Sequence, residues 1–224
     1  MKTRLTKLAL TAALGLAITL TLNTCEGGGD VKLLETITDE SGTRKFEYDK
    51  QNRIVKIGDK TITYADNLIT VGTQKYAING NTITVDVDGS SFTINGDGYI
   101  AAPPSISCYG GCPEYFVYKD GNLIADNSGR GIGYEYDDKK SPLSNSATPK
   151  WLMQILLGDV SASKNNVVGI DEEDGSSTYK YEYDSDGFPV TAKMTVEYTD
   201  YAEGTGTTIT NYTTRYAYRG KTQN

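Results

Sequence analysis

An all-β fold, a curved antiparallel meander with one buried helix, is what this sequence predicts, and three observations carry the prediction. From Val31 onward, apolar and polar residues alternate with period two. Clusters of Asn, Asp and Gly interrupt that alternation roughly every dozen residues, at the spacing expected of hairpin turns. One stretch, TPKWLMQILLGD (148–159), departs from it with helical spacing instead.

The strands come in order. LLETIT (33–38), RKFEY (44–48), IVKI (54–57), TITY (61–64) and LITV (68–71) are followed by KYAI (75–78), TITVDV (82–87), SFTI (91–94) and YIA (99–101). Alternation places Phe46, Tyr48, Ile62, Tyr64, Ile83 and Val85 on one face and Thr, Lys and Glu on the other, as in a sheet solvated on one side. A sheet this long must twist and curl, which predicts an open or half-closed barrel. The prolines of AAPPSISCYGGCPE (101–114) exclude central strand positions, so this stretch reads as a loop. The pattern resumes at YFVY (115–118), LIAD (123–126) and YEYDDKKSPL (134–143), continues through 166–198, and closes on TITNYTTRYAY (208–218), a last strand tied into the sheet.

The helix is predicted over 149–157. Thr148 can cap it, Pro149 is tolerated at its first position and Gly158 suits its end. Trp151, Leu152, Ile155 and Leu156 share a stripe that Met153 and Leu157 widen, so the helix should be buried against the concave face or in its mouth. Trp151 reads first as a core anchor and second as a ligand-facing ring.

Residues 1–24 have the parts of a secretory signal: Lys2, Arg4 and Lys7, then an apolar run from Leu8 to Leu22 that is too short to span a bilayer. Without those three cations, 19 basic residues remain against 29 acidic ones, a net charge of −10. Such a surface repels nucleic acid and excludes it as a partner. The chain contains no histidine. This removes the usual general base, the Ser/His/Asp and Cys/His nucleophilic systems and His-based zinc sites. No catalytic residue, metal ligand or cofactor is assigned, and the expectation is of a protein that is not an enzyme. Carboxylate-only glycoside hydrolysis is the catalytic alternative. Asp137, Asp138, Asp171, Glu172, Glu173 and Asp174 are its candidate acids.

The leader ends LNTC and resembles a bacterial lipoprotein signal, which implies lipidation of Cys25 and a flexible tether over 25–30 ahead of a single domain over 31–224. Asn23 and Thr24 depart from the small residues usual before such a cysteine. Ordinary cleavage to a free periplasmic or secreted protein is the alternative. With Cys25 set aside, Cys108 and Cys112 form an even pair in an oxidising compartment, and CYGGCP reads as a loop closed by a local disulfide. A redox-active pair is the alternative. Tyr109 within that loop joins Trp151 as a candidate ligand-facing aromatic.

The tandem pattern in KFEYDKQNRIVKI (45–57) and YKYEYDSDGFPVTAK (179–193) resembles the YD-type repeats of bacterial surface proteins. Together with the leader and YEYDDKKSPL (134–143), it is similar to a family of uncharacterised Bacteroidota-type lipoproteins with a domain of unknown function. The resemblance implies a curved antiparallel sheet anchored in the cell envelope, at the outer membrane, with no catalytic residues to carry over.

The resulting expectation is a lipid-anchored, non-catalytic binding or structural module, with a glycan or an envelope protein as its possible partner. Acid- and glycine-rich turns such as DSDG (184–187) could hold calcium, but hairpin chemistry explains them better. The 17 tyrosines, against 4 phenylalanines, suit half-buried strand positions where the hydroxyl reaches water. If exposed on a concave sheet, such rings could stack on sugar faces. Ladders that stabilise the sheet are the plainer reading.

Overall fold

The computed structural model describes residues 31–102, 115–127, 131–173, 175–200 and 206–220. The leader, the tether, Cys25, Cys108, Tyr109, Cys112 and Asp174 lie outside them. The strands are β1 (Leu33–Asp39), β2 (Gly42–Tyr48), β3 (Ile54–Ile57), β4 (Lys60–Ala65), β5 (Leu68–Val71), β6 (Gln74–Asn79), β7 (Thr82–Val85) and β8 (Ser91–Ile94). The second half contributes β9 (Ile100–Ala102), β10 (Phe116–Lys119), β11 (Asn122–Asp126), β12 (Ile132–Tyr136), β13 (Val167–Glu172), β14 (Gly175–Tyr183), β15 (Pro189–Asp200) and β16 (Gly206–Arg219). The helix α1 (Lys150–Leu157) and a 3-10 turn at Asp159–Ala162 interrupt them.

All sixteen strands form one antiparallel sheet in the order β10 to β16, then β1 to β9. The first and last strands of the chain therefore pair with each other, Leu34 opposite Tyr218, in the middle of the sheet. Its two edges, β9 and β10, are neighbours in sequence and meet through side chains. The Tyr118 hydroxyl donates to the Ile100 carbonyl at 2.9 Å, and the Tyr99 and Tyr118 rings stack at 4.5 Å. The meander is thus a nearly closed barrel with one seam, more closed than the half-barrel that curling alone suggested.

In a meander, successive connections alternate between two ends. One end carries tight turns, such as those joining Asp39 to Gly42 and Ile57 to Lys60. At the other end, among tight turns such as Ala65 to Leu68 and Asn79 to Thr82, a longer turn design recurs, and its chemistry explains the YD pattern. Asp49 Oδ1 accepts the N–H groups of Gln51 and Arg53. Asp184 Oδ1 does the same for Asp186 and Phe188, and Asn95 Oδ1 for Asp97 and Tyr99. The fourth residue of each turn is left-handed, with Asn52 at φ 63° and Gly187 at φ 80°, which is why Asn or Gly stands there.

A β-bulge follows each of these turns. Tyr48 pairs with Ile54, but Glu47 pairs with Lys56, so Val55 is skipped. The same skip occurs beside Ile100, Leu123, Val167 and Pro189. A bulge frees the backbone groups of the residue next to it from the ladder. Their carbonyls are taken by tyrosines one strand further on. Tyr64 donates to Ile54, Tyr118 to Ile100, Tyr136 to Leu123, Tyr181 to Val167 and Tyr218 to Pro189, all between 2.7 and 2.9 Å. At these five half-buried strand positions the hydroxyl serves the backbone rather than water.

The helical segment is an insertion into one of these turns. Asp137 accepts the Lys139 N–H two residues on, as Asp49 accepts that of Gln51. The second N–H comes from Asn166, however, after an excursion of some two dozen residues. That excursion closes the turn end of the barrel. Thr148 Oγ1 accepts the Ile54 N–H, Gln154 Oε1 the Ile100 N–H and Ser163 Oγ the Leu123 N–H. These are the amides beside three of the bulges. At a fourth, Pro189 has no N–H to satisfy.

Two details of the helix differ from expectation. Thr148 does not cap it, because its hydroxyl is committed to Ile54, and no side chain caps the N-terminus. The stripe is also rotated: Gln154 is buried and Ile155 is 38 % exposed. Burying Gln154 is favourable because its amide satisfies Ile100, the Tyr118 hydroxyl and the Asp159 carbonyl at the seam. One strand is also shorter than expected. β7 ends at Val85, whose carbonyl accepts the Gly89 N–H to start the turn, which leaves Val87 77 % exposed.

The core lies inside the barrel. Trp151 sits between Tyr76 and Phe92, with ring centroids at 5.6 and 5.8 Å. Around it pack Ile54, Ile62, Ile83, Leu123 and Leu152, all essentially buried. Of the six residues that alternation placed on the apolar face, Phe46, Ile62, Ile83 and Val85 belong to this cluster, and Tyr48 and Tyr64 pack against it half-buried.

Candidate functional site

The turn end builds a hollow of about 580 Å³, within the size range of small-ligand sites. Three pieces of chain form it. The β8–β9 turn contributes Asp97, Gly98 and Tyr99, the β10–β11 turn Gly121, and the insertion supplies the remainder apart from Ile94. The insertion reaches these turns because backbone bonds fix it there. The Trp151 N–H donates to the Gly98 carbonyl and the Lys164 N–H to that of Gly121, both at 3.0 Å.

The floor is apolar: Leu143, Trp151, Met153 and Ala162 line it and are themselves buried. Trp151 is thus chiefly a core anchor, 3 % exposed, though the residue also lines the hollow. Most polar groups in the wall are already used. Ser161 donates to the Met153 carbonyl, while Ser146 and Thr148 bond each other. The rim carries charge without ion pairs among the described residues. The Lys150 ammonium lies 4.1 Å from the centre of the Tyr99 ring, and Lys164 and Asp97 are exposed. An ammonium over a ring face keeps its hydrogen-bond donors available.

A second, smaller hollow of about 210 Å³ lies beneath the insertion, between Arg44, Leu157, Val160 and the tyrosines of β14 and β16. Tyr179 and Tyr181 lie 6.3 Å apart at an interplanar angle of 13°, so each ring faces the next along the strand. This is the ladder arrangement. Burial pushes the phenols upward, with Tyr136 and Tyr216 raised to about 12 and Tyr181 further.

The carboxylates are dispersed. Asp137 is held by Asn166 and by the Tyr183 hydroxyl as part of its turn. Asp138 pairs with Lys139 at the surface, and Asp171, Glu172 and Glu173 are exposed. Asp184, the most calcium-like turn acid, spends Oδ1 on two backbone N–H groups and Oδ2 on Lys32 at 2.8 Å.

The rim lysines went unnoticed in the sequence, because Lys150 and Lys164 are fourteen positions apart and gain meaning only once the insertion folds across the turn end. No family model matches the chain, and no curated protein matches it. Two solved structures are similar. A porin-like protein from Bacteroides uniformis has 14 % identity and a TM-score of 0.49, with 84 % of this chain and 95 % of that one covered. A porin-like protein from Bacteroides vulgatus has 14 % identity and a TM-score of 0.46, with 84 % and 99 % covered.

Proposed function

We propose that this chain is a lipid-anchored, non-catalytic binding module of the bacterial cell envelope, held at the outer membrane through Cys25. The observation that carries the binding role is the hollow at the turn end, with its apolar floor and unpaired rim charges, built by an insertion that one turn of the repeat alone accommodates. The anchor rests on the leader and the LNTC junction. Chain entry agrees with it: Lys32 sits at this same end, its carbonyl accepting from Asn145 and its ammonium donating to Asp184. A six-residue tether spans at most about 20 Å, so the hollow would lie close to the membrane surface.

Replacing Cys25 with Ser tests the anchor. The wild-type chain is expected in the membrane fraction and the variant in the soluble one. A variant that still sediments with membranes overturns the lipid attachment.

A further inference from the structure

We propose that the hollow between the insertion and the seam turns binds an acidic sugar, a pyranose bearing a carboxylate. The proposal rests on the binding-module reading and deepens it by naming the ligand class. Three features point to that class. Lys150 and Lys164 lie on the rim without carboxylate partners among the described residues, in a chain whose net charge is −7. Two unpaired ammonium groups in one hollow favour an anion, and charge-assisted hydrogen bonds to them are the strong kind.

Asp97 on the same rim narrows the choice. It also lacks an ion pair among the described residues, and its carboxylate can only accept hydrogen bonds. A ligand that was only an anion would be repelled by it, whereas one that also carries hydroxyl donors would use it. The exposed Ser144 hydroxyl beside it can donate or accept. The third feature is the floor of Leu143, Trp151 and Met153. A sugar ring has an apolar C–H face to lay on such a surface and hydroxyls at its edge to reach the rim. Carboxylate, hydroxyl donors and an apolar face occur together on a uronic acid.

The volume is consistent with this. About 580 Å³ is more than one ring requires, so the hollow has room for a uronate with a neighbouring residue of an oligosaccharide. The site has no need of the Tyr179–Tyr181 ladder, whose rings face each other.

The test is calorimetric titration of the mature full-length chain with glucuronate and galacturonate, with the neutral hexoses, acetate, phosphate and phosphatidylglycerol vesicles as comparison ligands. At least one uronate should bind, more tightly than its neutral hexose and than acetate, and more weakly as salt is raised. Lys150→Gln and Lys164→Gln should each weaken it about tenfold, and Asp97→Asn should weaken the uronate more than acetate. Lys119→Gln, at the same end but outside the hollow, should leave affinity unchanged. Circular dichroism should show every variant folded.

Equal binding of acetate or phosphate would reduce the site to a plain anion hollow and overturn the sugar assignment. Binding confined to phosphatidylglycerol vesicles would identify a lipid headgroup and overturn it too. No uronate binding, or binding indifferent to both lysine substitutions, overturns it outright. The Cys25→Ser variant should keep uronate affinity after leaving the membrane, so the two proposals fail separately.

Discussion

At the scale of the residue, tyrosine is the informative choice in this chain. A phenylalanine would fill the same inward positions, but only tyrosine supplies a hydroxyl to the carbonyl beside a bulge. The chain itself contains a control. Leu34 stands next to the register skip between β16 and β1, and Tyr48 stands one strand further on, yet the buried Tyr48 hydroxyl has no hydrogen-bond partner. Tyr136, by contrast, donates to the fully buried Leu123 at 2.7 Å. Tyr136→Phe should therefore cost about 1–3 kcal/mol by leaving a buried carbonyl unpaired. Tyr48→Phe should be close to neutral, since it removes a buried hydroxyl that bonds nothing. Urea unfolding midpoints of the two variants check this, and similar losses in both would remove tyrosine's backbone role. Composition alone could not distinguish these cases: it showed that tyrosine was favoured, but the acceptor carbonyls become visible only when strand register is known.

At the scale of the element, the unit is a turn with an acidic cap, a left-handed fourth residue and a bulge. Much of this was legible. The YD pattern, the Asn and Gly positions and the period-two alternation located nearly every strand, because hairpin chemistry is local. The helix was legible in place but not in rotation. Gln154 is buried for a partner 54 positions away, which no local pattern reports. The hollow was illegible for the same reason, being assembled from three segments. The turn caps predict a pH dependence. At Asp184, burial opposes the charge, but the Lys32 ammonium and the N–H groups of Phe188 and Asp186 outweigh it and hold the pKa below the ordinary carboxylate value. Asp49 is lowered likewise by Arg53 and Gln51. A depressed folded-state pKa means stabilisation that is complete above the unfolded value of roughly 3.9 and lost as pH falls through the folded one. Stability should thus decline with acid in that range. Asp184→Asn should flatten the decline while keeping the turn, since Asn95 already serves as such a cap. Unfolding midpoints measured from pH 6 downward test it, and an unchanged slope in the variant would assign the acid sensitivity elsewhere.

At the scale of the whole molecule, the question is which solvent this barrel is built for. By strand number, sixteen strands can enclose a water-filled channel. A membrane barrel also needs an apolar band facing outward and a polar interior. Here the two faces are reversed. Lys45, Glu47, Lys75, Lys180, Glu182, Lys193, Glu197 and Arg215 alternate onto the exposed face of their strands, and their neighbours Phe46, Tyr76 and Ala192 are buried inside. The interior is filled by these side chains and by α1, whose Trp151 occupies the space between β6 and β8. Each outward Lys or Arg would cost about 2–4 kcal/mol at the middle of a bilayer, and each Glu less, so a band of them opposes insertion. The chain from residue 26 onward, made without Cys25, should therefore be soluble without detergent and should give no conductance steps when added to planar bilayers. Detergent-dependent solubility with channel steps would show that the outward face meets lipid after all. Solubility without channel steps would agree with the outward charge, which leaves the polar face of the sheet to water.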